Sequence, residues 1–342
     1  MSFTYLRPIP GPDEIRDAIP LPGHLKGVKE QRDREIREIF ERESDRFFLV
    51  IGPCSADNED AVCEYVSRLA GLQDEVKDRI LIIPRIYTNK PRTTGEGYKG
   101  MVHQPDPHKQ PNIVDGIRAI RSMHVRALRE SGLPAADEML YPGNLPYLED
   151  LLSYVAVGAR SVENQQHRLT VSGMAVPAGM KNPTSGDMSV MFNSIHAGQH
   201  SHVFIYNGWE VKTSGNPFTH AILRGSVDIS GRNIPNYHYE NLLAVAREYM
   251  ARQLAHPVIV VDTNHSNSGK NFREQPRIGM EVMQSRRHSP LLRDLIKGLM
   301  VESYLVEGSQ KIDENTFGKS ITDPCLGWDE TADFVRRLAE AV

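Results

Sequence analysis

A chain of 342 residues with 40 Lys and Arg against 44 Asp and Glu, net charge −4, has no overall basic field to gather nucleic acid. Its 39% hydrophobic and 25% charged residues are ordinary for a soluble globular protein, and its length fits one large α/β domain or two smaller ones. No stretch approaches a membrane span, prolines and charges fill MSFTYLRPIPGPDEIRDAIP where a signal peptide needs an apolar run, and three cysteines at no framework spacing (Cys54, Cys63, Cys325) point to a reducing, cytoplasmic compartment.

The first two dozen residues are Pro-rich and predict no regular structure. Residues 28–46 predict a charged helix. Its apolar stripe, Ile36, Ile39 and Phe40, is too narrow for a core helix and suits an edge or a subunit interface. Residues 1–46 thus read as an N-terminal extension with an interface or regulatory role, and 47–342 as the catalytic body. Strand and helix patterns alternate from there. Strands are expected at 47–54, 80–87, 134–140, 155–162, 175–182, 203–208 (continuing to 224 after a hairpin around Glu210–Asn216), 257–265 and 297–303. Most have a helix behind them; the first opens at Asp57 or Asn58, and the last is capped at Asp329. Eight strands in this alternation favour a closed (β/α)8 TIM barrel over an open doubly wound sheet, with a small β-hairpin insertion after strand 6. No GxGxxG follows a strand, which weakens a dinucleotide fold.

The chemistry lies at the carboxyl ends of these strands, where a barrel places its site. In order they carry Cys54, then Arg85 and Lys90, Glu138, Arg160, Lys181, Arg224, His265 and Glu302, with Asp323 one loop later. Any one of these has an ordinary explanation as core or solvated surface. Eight strand ends in succession do not. Cys54, His265, Glu302 and Asp323 suit a divalent transition metal (Mn, Fe, Co or Zn) and argue against Mg or Ca. Arg85, Lys90, Arg160, Lys181 and Arg224 need polyanionic ligands to offset their repulsion. The joint implication is a metal enzyme acting on phosphorylated small molecules. Crowding by cations is expected to lower the pKa of Lys90 and of the Cys54 thiol.

These residues sit in segments that resemble the type I 3-deoxy-D-arabino-heptulosonate 7-phosphate (DAHP) synthases, the phenylalanine-, tyrosine- or tryptophan-sensitive enzymes that open the shikimate pathway. The matching segments are IGPCS (51–55), KPRTT (90–94), YKG (98–100), SGLPAADE (131–138), GAR (158–160), QQHR (165–168), KN (181–182), TSGN (213–216), ILRG (222–225), PNY (235–237), MVESYLVEG (300–308) and GKSITDPCLGW (318–328). They run in the family's order from about residue 47 to the end. KPRTT and GKSITD are specific, while GAR and ILRG mean little alone. The seventh strand reads DTNHSNSGK where the family more often has SHANS, with the histidine kept.

The resemblance implies a barrel that condenses phosphoenolpyruvate with erythrose 4-phosphate. It implies Cys54, His265, Glu302 and Asp323 as metal ligands. Arg85, Arg160, Lys181 and Arg224 would surround phosphoenolpyruvate, and the loop Lys90, Pro91, Arg92, Thr93 would hold erythrose 4-phosphate. Lys90 would deliver a proton to the new alkoxide, and Glu138 or a metal-linked water would handle the attacking water. A homodimer or homotetramer and an aromatic amino acid effector are expected, with regulation carried by the hairpin and the N-terminal extension. Two alternatives were open to the same segments: a sister synthase using arabinose 5-phosphate, whose loop lacks KPRTT, and a non-catalytic regulatory homologue, which has no need of every ligand.

Overall fold

The computed structural model describes residues 2–92 and 94–342. Eight parallel strands make one sheet: β1 (Phe47–Gly52), β2 (Ile80–Pro84), β3 (Ala135–Glu138), β4 (Leu152–Val157), β5 (Ala178–Lys181), β6 (Thr219–Leu223), β7 (Ile259–Asp262) and β8 (Ile296–Glu302). The last gap, between β2 and β3, is bridged by Arg85 and Ala136, with the Ile86 amide donating to the Ala136 carbonyl at 2.9 Å. The sheet is therefore a closed barrel, as expected.

Both faces of each strand are buried, and residues two apart share a face. Phe47, Leu49, Ile51, Ile80 and Ile82 pack outward in the main core against the helices. Phe48, Val50, Leu81 and Ile83 pack in a second core inside the barrel. Continuous apolar runs such as FFLVIG and ILIIP follow from that double burial.

After α1 (Pro12–Ala18) and α2 (Gly23–Glu41), helices α3 (Glu59–Val76), α4 (Ile113–Ser131), α5 (Gln165–Val171), α6 (Met188–Gln199), α7 (Tyr239–Ala251), α8 (Gln275–His288), α9 (Pro290–Leu295) and α10 (Trp328–Ala341) cover the strands. A 3-10 turn, Pro142–Tyr147, replaces a helix after β3. Polar side chains start several helices: Asn58 accepts from the Ala61 amide, Asn112 from Asp115 and Asn164 from His167. Gly327 occupies the cap of α10, and Asp329 lies in its first turn, where it favours the helix dipole instead.

Two elements differ from expectation. Residues 203–208 are not a barrel strand. Val203–Tyr206 pairs antiparallel with Trp209–Lys212 as a hairpin standing before β6, and β6 alone crosses the barrel. The outward residues Val203 and Ile205 are exposed, so this segment has one wet face and cannot serve a barrel buried on both. The Pro-rich start also holds a short helix, α1 (Pro12–Ala18), opened by proline at its first position.

Helix α2 (Gly23–Glu41) closes the amino-terminal end of the barrel. Its stripe is covered within the chain: Ile36, Ile39 and Phe40 join the inner core. Phe40 stacks on Phe48 with centroids 5.5 Å apart and meets His220 edge-on at 4.9 Å. The stripe is narrow because a barrel end is small, and any contact with another subunit has to use the other faces of α2. Among the described residues, no helix is long and apolar enough to cross a membrane.

If α2 is an integral plug, Phe40→Ala leaves a hole in the inner core and costs about 3–5 kcal/mol. Urea unfolding measures it, and a loss below about 1 kcal/mol would mean the helix is an appendage.

Candidate active site

All barrel strands run one way, so their carboxyl ends share one mouth. Cys54 follows β1, Glu302 ends β8 and Asp323 sits in the loop before α10. One donor atom from each lies within 4.8 Å of the others. The Lys90 ammonium stands among them, 2.7 Å from Cys54 Sγ and 2.6 Å from Asp323 Oδ2. The cluster thus already holds a cation.

His265 is one step away from this trio. Its Nε2 is 4.0 Å from Glu302 Oε1, and its Nδ1 is 2.9 Å from Asp262 Oδ2. It follows β7 with φ +50°, a conformation a non-glycine residue adopts at a cost.

The protonation pattern reverses the expectation of lowered pKa values. Burial, with Glu302 next, pushes the Cys54 thiol up to about 11. Burial opposes charge on Lys90, but Cys54, Asp323 and Glu302 outweigh it and lift the ammonium above its ordinary value. Burial likewise opposes charge on Asp323, but Lys90 more than offsets that and holds it below the usual carboxylate range. The chain's basic residues look crowded when read in order. In space, carboxylates from β7, β8 and the loop before α10 alternate with them.

Arg85 is the most enclosed of the cations in the mouth, 2% exposed. Its Nη2 donates to Glu302 Oε1 at 2.8 Å and to the Cys54 carbonyl at 3.2 Å, and its guanidinium lies 3.8 Å from the centre of the Tyr87 ring. Lys181 Nζ donates to Asp262 Oδ2 at 3.1 Å. Arg224 is buried, its backbone amide held by Asn182 Oδ1, and burial followed by repulsion from Arg160 lowers its pKa. Arg160 itself is exposed at the rim. The Nη1 groups of Arg85 and Arg224 are buried without an acceptor among the described residues. Buried N–H groups of that kind call for an anion in the mouth.

The remaining expected residues lie around this centre. Pro91 and Arg92 are half-buried in the loop after β2, and Arg92 Nε donates to the Tyr98 carbonyl at 2.9 Å; Thr93 lies outside the described residues. Gly100, at φ +99°, lets this loop fold back against β2, since a Cβ there would sit 2.6 Å from Asn89 Cα. Glu138 ends β3, buried, with its carboxylate over Gly158; a side chain at Gly158 would collide with it. That contact explains the glycine of GAR.

Three residues were not foreseen. Asp262 joins Lys181 to His265. Burial alone would raise its pKa, but His265 and Lys181 hold it well below the carboxylate range. Asn264 Nδ2 donates to Glu302 Oε2 at 2.5 Å. Asp137 accepts from the amide and hydroxyl of Thr88, which anchors the start of the Lys90 loop. Asp262 had one signal, an acid ending the apolar run PVIVVD; Asp137 and Asn264 had only their places in SGLPAADE and DTNHSNSGK.

Removing one member of a buried pair strands the other charge. Arg85→Met is expected to cost about 3–5 kcal/mol, and Arg85→Met with Glu302→Met distinctly less than the sum of the two single losses. Denaturant unfolding of the four proteins measures the coupling, and simple additivity would remove the pair from the account.

Residues 27–336 match the family described as the DAHP synthetase I family. The chain is 38% identical over 317 residues to the Phe-sensitive phospho-2-dehydro-3-deoxyheptonate aldolase of Escherichia coli (strain K12), covering 90% of this chain and 87% of that protein. It is 36% identical over 329 residues to the Trp-sensitive aldolase of the same organism, covering 94% and 91%. A solved phospho-2-dehydro-3-deoxyheptonate aldolase from Francisella tularensis SCHU S4 superposes with TM-score 0.92 at 31% identity, over 100% of this chain and 98% of that one. With a matching fold over its whole length and a family match over nearly all of it, this chain is an enzyme of the DAHP synthetase I family.

Proposed function

We propose that this chain is a cytoplasmic 3-deoxy-7-phosphoheptulonate synthase: it condenses phosphoenolpyruvate with erythrose 4-phosphate to give DAHP and phosphate. The observation that carries this reading is the meeting, in one mouth, of a thiol and carboxylate cluster with buried guanidinium N–H groups that lack acceptors. Such a mouth is built for a cation and for phosphate together.

The donor set fits a divalent transition metal. A thiol and two carboxylates surround a position that the Lys90 ammonium already serves as a cation, and an imidazole stands 4.0 Å from one of those carboxylates. Cys54, Glu302, Asp323 and His265 would hold the metal, as Mn, Fe, Co or Zn. When bound, it supplies Lewis acidity toward an aldehyde oxygen.

The chain's own side chains do the rest. Arg85, Arg160, Lys181 and Arg224 bind and neutralise phosphoenolpyruvate, and Lys90, Pro91, Arg92 and Thr93 hold erythrose 4-phosphate. The enol carbon of phosphoenolpyruvate bonds to the aldehyde carbon, and Lys90 gives a proton to the alkoxide. Water adds at the former enol carbon, and the C–O bond to phosphate breaks. Glu138 has no ion-pair partner among the described residues, which supports giving it, or a metal-linked water, the handling of that attacking water.

We assign regulation to a cavity of 520 Å³ between the barrel, α2 and the hairpin. Phe204, Val211 and Met174 line it with apolar surface, and the buried pair Lys29–Asp33, 2.6 Å apart, supplies both charges. An aromatic amino acid, with a ring and a zwitterion, matches that lining. Residues 1–46 then serve as the interface and regulatory extension of a homodimer or homotetramer, and 47–342 as the catalytic barrel.

The loss of phosphoenolpyruvate absorbance tests the reaction. Turnover is expected with erythrose 4-phosphate and not with arabinose 5-phosphate, abolished by chelator and restored by Mn²⁺ or Co²⁺; full activity in chelator would sink the metal site. Lys90→Ala is expected to depress kcat far more than phosphoenolpyruvate binding, and Arg160→Ala to act mainly on that binding. Kinetically identical variants would overturn this division of roles. Val211→Glu, in the hairpin wall of the cavity, should leave kcat unchanged while weakening inhibition by phenylalanine, tyrosine or tryptophan. Unchanged inhibition would place the effector elsewhere.

A further inference from the structure

The face of the barrel opposite the mouth carries an excess of positive charge that nothing in catalysis uses. The amino ends of β1, β2 and β8 and the carboxyl ends of α3 and α8 surround a cavity of 920 Å³ there. Its cations are Arg46, Lys77, Arg79, Arg286, Arg293 and Lys297. Its carboxylate side chains are Asp45, Asp78 and Asp294. Asp294 is already taken from outside by Arg42, in a two-pronged pair at 2.8 and 3.2 Å.

We propose that this amino-terminal face is a second anion site, for a small phosphorylated molecule. Its floor is Arg286 and Lys297, 7% and 8% exposed. Arg286 lies 4.7 Å from the centre of the Phe47 ring; among the described residues its only polar contact is a weak one, Nη1 to Met283 Sδ at 3.5 Å, and its buried Nε has no partner. Among the described residues, neither Arg286, Arg293 nor Lys297 has a carboxylate within the 4.0 Å of an ion pair. Arg46 reaches Glu35 and Glu38 only at 3.8 Å each.

Helix dipoles explain part of this charge, since Lys77 caps α3 and Arg286 lies in the last turn of α8. They do not explain Arg79 and Lys297, which sit at strand starts. Nor do they explain a buried guanidinium with an idle N–H. Burial, aided by Arg293, presses the Arg286 guanidinium down to about 10, and burial also lowers Lys297. Both groups would be relieved by an anion. Guanidinium forks match phosphate oxygens two at a time. The one aromatic ring at the site, Phe47, is buried beneath Arg286, so a base has nothing to stack on and the phosphate is the recognised part.

Tungstate, a tetrahedral dianion with a strong anomalous signal, locates the site directly. Crystals of the metal-loaded enzyme soaked in tungstate should show a peak in contact with Arg286 and Lys297, separate from any peak in the mouth, and inorganic phosphate should displace it. The exposed pair Arg79→Glu with Arg293→Glu should abolish that peak and keep the one in the mouth. In calorimetry the same double variant should lose one class of phosphate binding, weakened about tenfold or more. A peak in the mouth alone, a peak that survives the double variant, or an amino-terminal face covered by a second copy of the chain would overturn the proposal. A peak without phosphate binding in solution would mean an adventitious ion only and would also overturn it.

Discussion

The ion pair between Arg85 and Glu302 is the constraint on which the mouth depends. The two side chains are 2% and 1% exposed, and they join the ends of β2 and β8 across β1, which lies between them. Neither charge can be left alone at that depth without a large penalty. Arg85 also takes the carbonyls of Pro53 and Cys54. One guanidinium therefore orients a thiol-bearing turn and a carboxylate at once. Asn264 and Gln275 complete the support by binding the Glu302 side chain and backbone. A candidate metal centre in this fold is rigid because its donors are fastened from behind.

A second pair, Lys181 with Asp262, repeats the device on the other side of the mouth and extends it to His265. Together the two pairs decide protonation. Sequence order shows a run of basic residues, and repulsion among them would lower a lysine pKa. In the mouth, Arg85, Lys90 and Lys181 each face a carboxylate, and Arg224 alone of the buried cations there does not. Lys90 is held charged, Cys54 is held as a thiol, and Asp323 stays ionised. Such a site offers donors suited to a divalent cation and leaves N–H groups over that suit an anion.

The two ends of the barrel solve different problems. The mouth keeps idle donors open, whereas the other end is stoppered by Phe40 and its neighbours on α2. Around that stopper, the strand starts and helix ends gather a basic rim. The backbone direction alone separates the two charge systems, because parallel strands expose different chain positions at each end.

Periodicity and the order of residues determined much of this protein in advance. Alternating strand and helix patterns imply a barrel, and the residue ending each apolar run lies in its mouth, because a strand that ends must deliver its next side chains there. The seven strand ends bearing Cys54, Arg85, Glu138, Arg160, Lys181, Arg224 and Glu302 were legible for that reason, and KPRTT and GKSITD named the family. Pairing was not legible. Arg85 meets Glu302 across 217 positions, Lys90 meets Asp323 across 233 and Lys181 meets Asp262 across 81. No local period encodes contacts of that span. The packed barrel alone decided that Lys90 lies among acids, that His265 is tied to Asp262, and that 203–212 is a hairpin outside the sheet. Local pattern reports which side of a segment is apolar; only closure of the sheet brings distant side chains to one point and so sets their charge.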